Sequence, residues 1–168
     1  EREIYRIDLA ARLLDVLAWG TSPRDLEWFE RPPADAIDAA LTLLERLGAV
    51  KSGRLTDEGR RIQMLSLHPR LARMLLAAFG SPTAARACAL LSERHFFARG
   101  APSTTSDLLS AIDDWTSVPS HVQHVAREIE TSLKQAGLAL PRSEVSDGPF
   151  RRAVLAGYPD RVAMRREP

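Results

Sequence analysis

Apolar positions along this chain recur at helical spacing, and residues that start and stop helices punctuate them. Over residues 8–19, Leu9, Leu13, Val16 and Leu17 fall on one face, and Gly20 supplies a terminator. Ser22-Pro23 has the form of an N-cap followed by proline at the first helical position, with Asp25 in the first turn. This predicts a short helix over 23–29. Pro32-Pro33 ends it and opens the next, in which Ile37, Leu41, Leu44 and Leu47 form an apolar stripe. The helix covers residues 34–47 and Gly48 closes it.

The period then changes. Residues 49–55 read as two short extended pieces around Ser52-Gly53, the signal of a small β-hairpin, and Thr56 caps a helix over about 57–65. Helices followed by a hairpin is winged-helix order, and the short stretch before Thr56 leaves room only for a minimal wing.

Past His68 the chain reads as helices alone. Pro69 opens one with Leu71, Met74, Leu75 and Ala78 inward. Ser81-Pro82 opens another that runs to about Phe97, and residues 99–103 form a loop. Thr105 or Ser106 caps a helix over 107–115. Pro119 opens a long helix whose stripe is Val122, Val125, Ile129 and Leu133, closed by Gly137. A Pro-, Ser- and Gly-rich loop over 139–149 leads to a last short helix over 150–156. Residues 158–166, with Pro159 and the isolated Val162, look like a strand start with no partner in this chain. The expected fold is mainly α: a winged-helix unit with a small β-hairpin (1–67), then a helical bundle (68–156). Residues 157–168 read as the start of a further region.

Composition adds bounds. The 168 residues suffice for one domain or two small ones, with 45% hydrophobic and 27% charged residues. A single cysteine, Cys88, cannot form an intramolecular disulfide, and no apolar run approaches the ~20 residues of a membrane span. The expectation is a cytoplasmic protein with no membrane association. The chain starts at Glu1 without an initiator Met, as a segment of a longer protein would. Net charge is +1 overall, but its layout is uneven. Residues 51–99 carry nine basic and three acidic groups between acidic flanks, and arginine supplies 21 of the 23 cations.

Catalytic and cofactor motifs are missing. There is no phosphate-cradling glycine loop and no dinucleotide fingerprint, and there are no paired cysteines at zinc spacing. His121 and His124, at i, i+3, can share a helix face but have no third ligand nearby in sequence, so a solvated pair is the simpler account. Ser92 and His95 are three apart without the strained turn that exposes a nucleophile. Asp113 and Asp114 point in different directions on a helix. Cys88, among Ala87, Ala89 and Leu90, reads as core. No metal and no catalytic residue is assigned.

The basic block remains. Arg54 lies in the wing, and Arg60 and Arg61 follow it. Arg70 and Arg73 are at i, i+3; Arg86 and Arg94 are eight apart, two helical turns. Such rows can grip a nucleic-acid backbone, which selects charge and not sequence. The alternative is salt bridging to the acidic flanks.

Several strings carry a resemblance. Residues 3–9 lead into Ala18-Trp19-Gly20, and Pro32-Pro33 precedes a helix ending Leu47-Gly48-Ala49. Gly53-Arg54-Leu55-Thr56 is followed by Gly59-Arg60. The most specific string is Leu65-Ser66-Leu67-His68-Pro69-Arg70-Leu71-Ala72-Arg73-Met74-Leu75. Residues 89–94, 106–109 and Gly157-Tyr158-Pro159-Asp160-Arg161-Val162-Ala163 complete it. In this order they resemble the helicase-associated region of bacterial DEAH-box ATP-dependent helicases of the HrpB type. The resemblance implies a parent with two RecA-like ATPase domains, followed by this winged helix and a ratchet-like bundle. ATP and Mg would be held in those ATPase domains, and this chain itself has no cofactor.

The expected function is an accessory nucleic-acid-channel module that couples ATPase-domain motion to translocation of single-stranded RNA or DNA. Its partners are the strand and the RecA-like domains of the same polypeptide. Arg70, Arg73, Arg86 and Arg94 are the candidate strand contacts, although Arg70 and Arg73 can equally pin the fold through acidic partners. The rival readings are a free-standing winged-helix DNA-binding regulator, with residues 35–47 as recognition helix, and a protein-interaction module. The exposed Asp35, Asp38 and Glu45 count against the regulator. Trp28 and Trp115 are expected at the surface.

Overall fold

The computed structural model describes residues 8–93, 107–138 and 144–162. The architecture is mainly α. In chain order the elements are α1 (Ala10–Ala18), α2 (Ala34–Arg46), β1 (Val50–Lys51), β2 (Arg54–Leu55), α3 (Asp57–Gln63), α4 (Pro69–Ala77), α5 (Pro82–Ser92), α6 (Asp107–Asp113), a 3-10 turn (Trp115–Ser117), α7 (Ser120–Gln135) and α8 (Asp147–Gly157). The chain divides into two compact units, Glu1–Arg73 with Leu155–Pro168, and Met74–Val154.

In the first unit α1 packs on α2 and α3, and the hairpin packs on both α1 and α2. Its core is made of long aliphatic side chains, among them Leu13, Leu44, Leu47 and Ile62. The α2 C-terminus ends as the sequence requires: Gly48, at φ +72°, is left-handed, and Ala49 N–H donates to Leu44 carbonyl at 2.9 Å. The hairpin follows at once. Strands β1 and β2 pair antiparallel, Val50 opposite Leu55 and Lys51 opposite Arg54, across a two-residue turn. Ser52 and Gly53 both adopt positive φ, 52° and 73°, which makes the turn type I′.

Thr56 joins the hairpin to α3 by acting in both directions. Its Oγ1 accepts from Gly59 N–H at 2.9 Å and donates to the Gly48 carbonyl at 2.6 Å. Gly59 lies so close to the hairpin that a Cβ there would run into the Ala49 carbonyl oxygen and the Leu55 side chain.

The second unit is built differently. Helix α5 is buried on almost every side through small residues, Ala84, Ala85, Ala87, Cys88 and Ala89, and packs on α6 and α7. Small side chains let the helices approach closely. Helix α7 is amphipathic, burying Val122, Ala126, Ile129 and Leu133.

Several sequence expectations change. No helix forms over 23–29. Asp25 and Leu26 N–H both donate to Ser22 carbonyl, one turn only. The Pro23 carbonyl instead accepts from the Trp28 indole N–H at 3.0 Å and the Arg24 carbonyl from Arg31 at 3.1 Å, so side chains take acceptors a helix would use. Helix α5 stops at Ser92, because Glu93 is extended. The α7 stripe uses Ala126 where Val125 was expected. Helix α8 begins three residues early, at Asp147, with Pro149 tolerated in its first turn. Tyr158 to Arg161 form a turn and not the start of a strand, with Arg161 N–H donating to Tyr158 carbonyl at 3.1 Å. The loop expected at 99–103 and the caps Thr105 and Ser106 lie outside the described residues. Trp28 and Trp115 are half-buried; among the described residues the exposed aromatic side chains are Trp19, Phe29 and Phe79.

Candidate nucleic-acid interface

Arg70 sits in the first turn of α4, which places its side chain beside the segment that follows α8. Its guanidinium clasps Asp160 with two bonds, of 2.5 and 2.7 Å, and donates to the Gly157 carbonyl at 3.3 Å. It also lies over the Tyr158 ring, 5.3 Å from the centroid. Only 11% of the side chain is exposed. The hydrogen bonds from Arg70 hold the Asp160 carboxyl down at about 2, and the same contact raises the Arg70 pKa. Nearby, His68 pairs with Asp8 at 3.1 Å, and that bond lowers the Asp8 pKa.

Arg73, one turn along α4, donates to Glu58 of α3 at 2.9 Å. Both α4 candidates are therefore committed to carboxylates of their own chain. Arg86, in the second unit, differs: it lies over the Trp115 ring at 5.4 Å and has no carboxylate partner among the described residues. Arg94 lies outside the described residues, and the helix that carries Arg86 ends before it. Of the three described candidates, two are thus held by carboxylates and one by an aromatic ring.

The groups set aside as non-catalytic have ordinary surroundings. Ser92 Oγ donates to Cys88 carbonyl at 2.8 Å, while His95 is outside the described residues. Burial pushes the Cys88 thiol up to about 12, so it stays protonated and unreactive. His121 approaches Glu93 at 4.0 Å and His124 pairs with Glu128 at 3.2 Å. No cluster of three metal-ligating side chains occurs among the described residues, and none of their helices is long and apolar enough to cross a membrane.

One cationic surface was only half legible in the sequence. Lys51 and Arg54 are exposed and directly opposite each other in the hairpin, and Arg60 is exposed on α3. None of the three has an ion-pair partner among the described residues. The signal for adding Lys51 was there, because residues flanking a two-residue turn are cross-strand neighbours.

No protein-family model matches the chain. Over 97 residues, 55% of its length, it is 39% identical to the ATP-dependent RNA helicase HrpB of Escherichia coli, covering 12% of that protein. Over 80 residues, 46% of its length, it is 34% identical to the probable ATP-dependent RNA helicase DHR2 of Saccharomyces cerevisiae, covering 11% of it. A crystal structure of the E. coli DExH-box NTPase HrpB matches 99% of this chain with a TM-score of 0.78 and 30% identity. Sequence and structure together support a HrpB-type helicase region. It spans 19% of that crystallised chain.

Within this HrpB-type region the most specific string, residues 65–75, supplies structural contacts. Leu65, Leu71, Ala72, Met74 and Leu75 are buried, and its two arginines are ion-paired. Asp160, which clasps Arg70, belongs to another of the strings that carried the resemblance.

Proposed function

We propose that this HrpB-type region is the accessory nucleic-acid-channel module of an ATP-dependent RNA helicase. It holds a single strand while the motion of ATPase domains in the same polypeptide advances that strand. The winged-helix portion, residues 1–67, passes the motion of a RecA-like domain to the bundle, residues 68–156. ATP and Mg belong to the ATPase domains, and no residue of this chain is assigned to them. The setting is cytoplasmic.

The observation that carries this reading is the likeness to the HrpB crystal structure along 99% of the chain. The charge layout supports it. Arg86 keeps a guanidinium without a carboxylate partner, and with Arg94 it is the strand contact assigned within the bundle. Arg70 and Arg73 would have to surrender Asp160 and Glu58 to reach a phosphate, so their task in this reading is to hold the fold. The rival regulator needs α2 to enter a duplex groove. That helix exposes Asp35, Asp38 and Glu45, which repel phosphate.

The test uses the helicase that contains this region, with labelled single strands and duplexes followed by fluorescence anisotropy over a salt series. The expected result is salt-dependent single-strand binding that Arg86→Ala together with Arg94→Ala weakens, with unwinding reduced and basal ATP hydrolysis retained. Tight sequence-specific duplex binding by the region would overturn the reading in favour of the regulator.

A further inference from the structure

A groove of about 430 Å³ lies within the first unit, between the end of α1 and the hairpin. Arg54 and Arg60 line it, with Gly20, Thr21 and Ser22 from the turn after α1, and its lining contains no carboxylate. Trp19 stands between two lining residues, Ala18 and Gly20, and is 77% exposed.

Two features here cost the isolated fold something. Lys51 and Arg54 are like charges directly opposite each other on a hairpin with two residues in each strand, an arrangement that weakens the pairing. No acidic side chain among the described residues relieves either of them. Trp19 leaves a large indole in water. A polyanion that also carries flat aromatic groups answers both: phosphates neutralise the three cations, and a base stacks on the indole. A rigid duplex keeps its bases stacked inside, so the indole favours an unpaired strand.

We infer that Lys51, Arg54 and Arg60, with Trp19 as a stacking platform, form a second single-strand contact on the winged-helix unit, separate from the Arg86 surface. This rests on the reading of the region as part of a nucleic-acid channel, and goes beyond it by placing strand contact on the wing. The Thr21 and Ser22 hydroxyls can add hydrogen bonds to phosphate or sugar.

The test separates charge from stacking. The 168-residue chain is titrated against a labelled single-stranded oligonucleotide at several salt concentrations. Arg54→Ala with Arg60→Ala is expected to lower the slope of log affinity against log salt by about 1.4, two phosphate contacts at ~0.7 each for a single strand. Trp19→Ala is expected to weaken binding about tenfold and leave the slope unchanged. Lys51→Glu provides a folding control. It places a carboxylate opposite Arg54, so Tm is expected to hold or rise while affinity falls. If these variants bind like the parent chain and Arg86→Ala does not, the wing contact is overturned and the channel reading stands. If the parent chain binds no single strand even at low salt, the channel reading fails and the wing contact with it.

Discussion

Two groups of cations in the first unit have opposite surroundings. At the start of α4, Arg70 and Arg73 are clasped by Asp160 and Glu58. Around the hairpin, Lys51, Arg54 and Arg60 are exposed without ion pairs among the described residues, and two of them face each other. The α4 arginines belong to the most specific string in the chain, while Arg54 and Arg60 belong to a weaker one and Lys51 to none. A specific string is thus a poor guide to where a ligand is held. It can equally mark where two remote pieces of chain must meet. Asp160 lies 90 positions from Arg70, and its bidentate bond ties the segment after α8 to the base of α4.

The sharpest way to break this comparison is to disturb the hairpin's support. Gly59→Ala would force a methyl against the Ala49 carbonyl, which is backbone and cannot rotate away. The cost is expected at the upper end of overpacking, about 3 kcal/mol, and is measured by urea unfolding. A loss below about 0.5 kcal/mol would mean that α3 and the hairpin separate freely.

Arg70→Ala comes next. It removes a bidentate bond and the stacking on Tyr158, but leaves Asp160 able to reach water, which limits the penalty. A loss of about 2 kcal/mol is expected. Alanine at Lys51, Arg54 or Arg60 is expected to change stability by less than about 0.5 kcal/mol, with Lys51→Ala neutral or slightly stabilising because it relieves the facing charges. If Arg54→Ala costs as much as Arg70→Ala, the wing cations are structural and the distinction fails.

Thr56→Val tests the joint between wing and α3. It keeps the shape but loses the hydroxyl that caps α3 and donates to Gly48 carbonyl. About 1 kcal/mol is expected.

What was legible in the sequence follows the range of the forces involved. Gly48, Ser52-Gly53, Thr56 and Ser81-Pro82 act on backbone within a few residues, and each turn or cap they predicted is present. The failures come from contacts that spacing cannot encode. Ser22-Pro23 does start a turn, but Trp28 and Arg31 take the carbonyls that would have extended it into a helix. Ala126 replaces Val125 because burial depends on the face α5 presents, and a helix of small residues seats an alanine well. Arg70 and Arg73 could be recognised as cations on one helix face. Their partners, on α3 and after α8, become neighbours only once the chain is folded.

A change of pH isolates the clasp. Asp160 titrates at about 2 in the folded chain, below the ~3.9 of an unperturbed aspartate. Its folded pKa is the lower, so near pH 3 the unfolded chain binds more protons at this site than the folded one. Stability from the pair is therefore fully present above about pH 5 and drains away as pH falls towards 2. Asp8, lowered by its bond from His68, changes in the same direction. The Tm of Arg70→Ala should lie below that of the parent near neutrality, and the gap should narrow as pH drops through this window. Lys51→Ala removes a side chain that has no ion pair with a carboxylate among the described residues, so its Tm curve should run parallel to the parent's. Parallel curves for both variants would show that Asp160 owes Arg70 nothing. A narrowing gap for Lys51→Ala would show that the wing has a carboxylate partner after all, and the contrast between the two groups of cations would be lost.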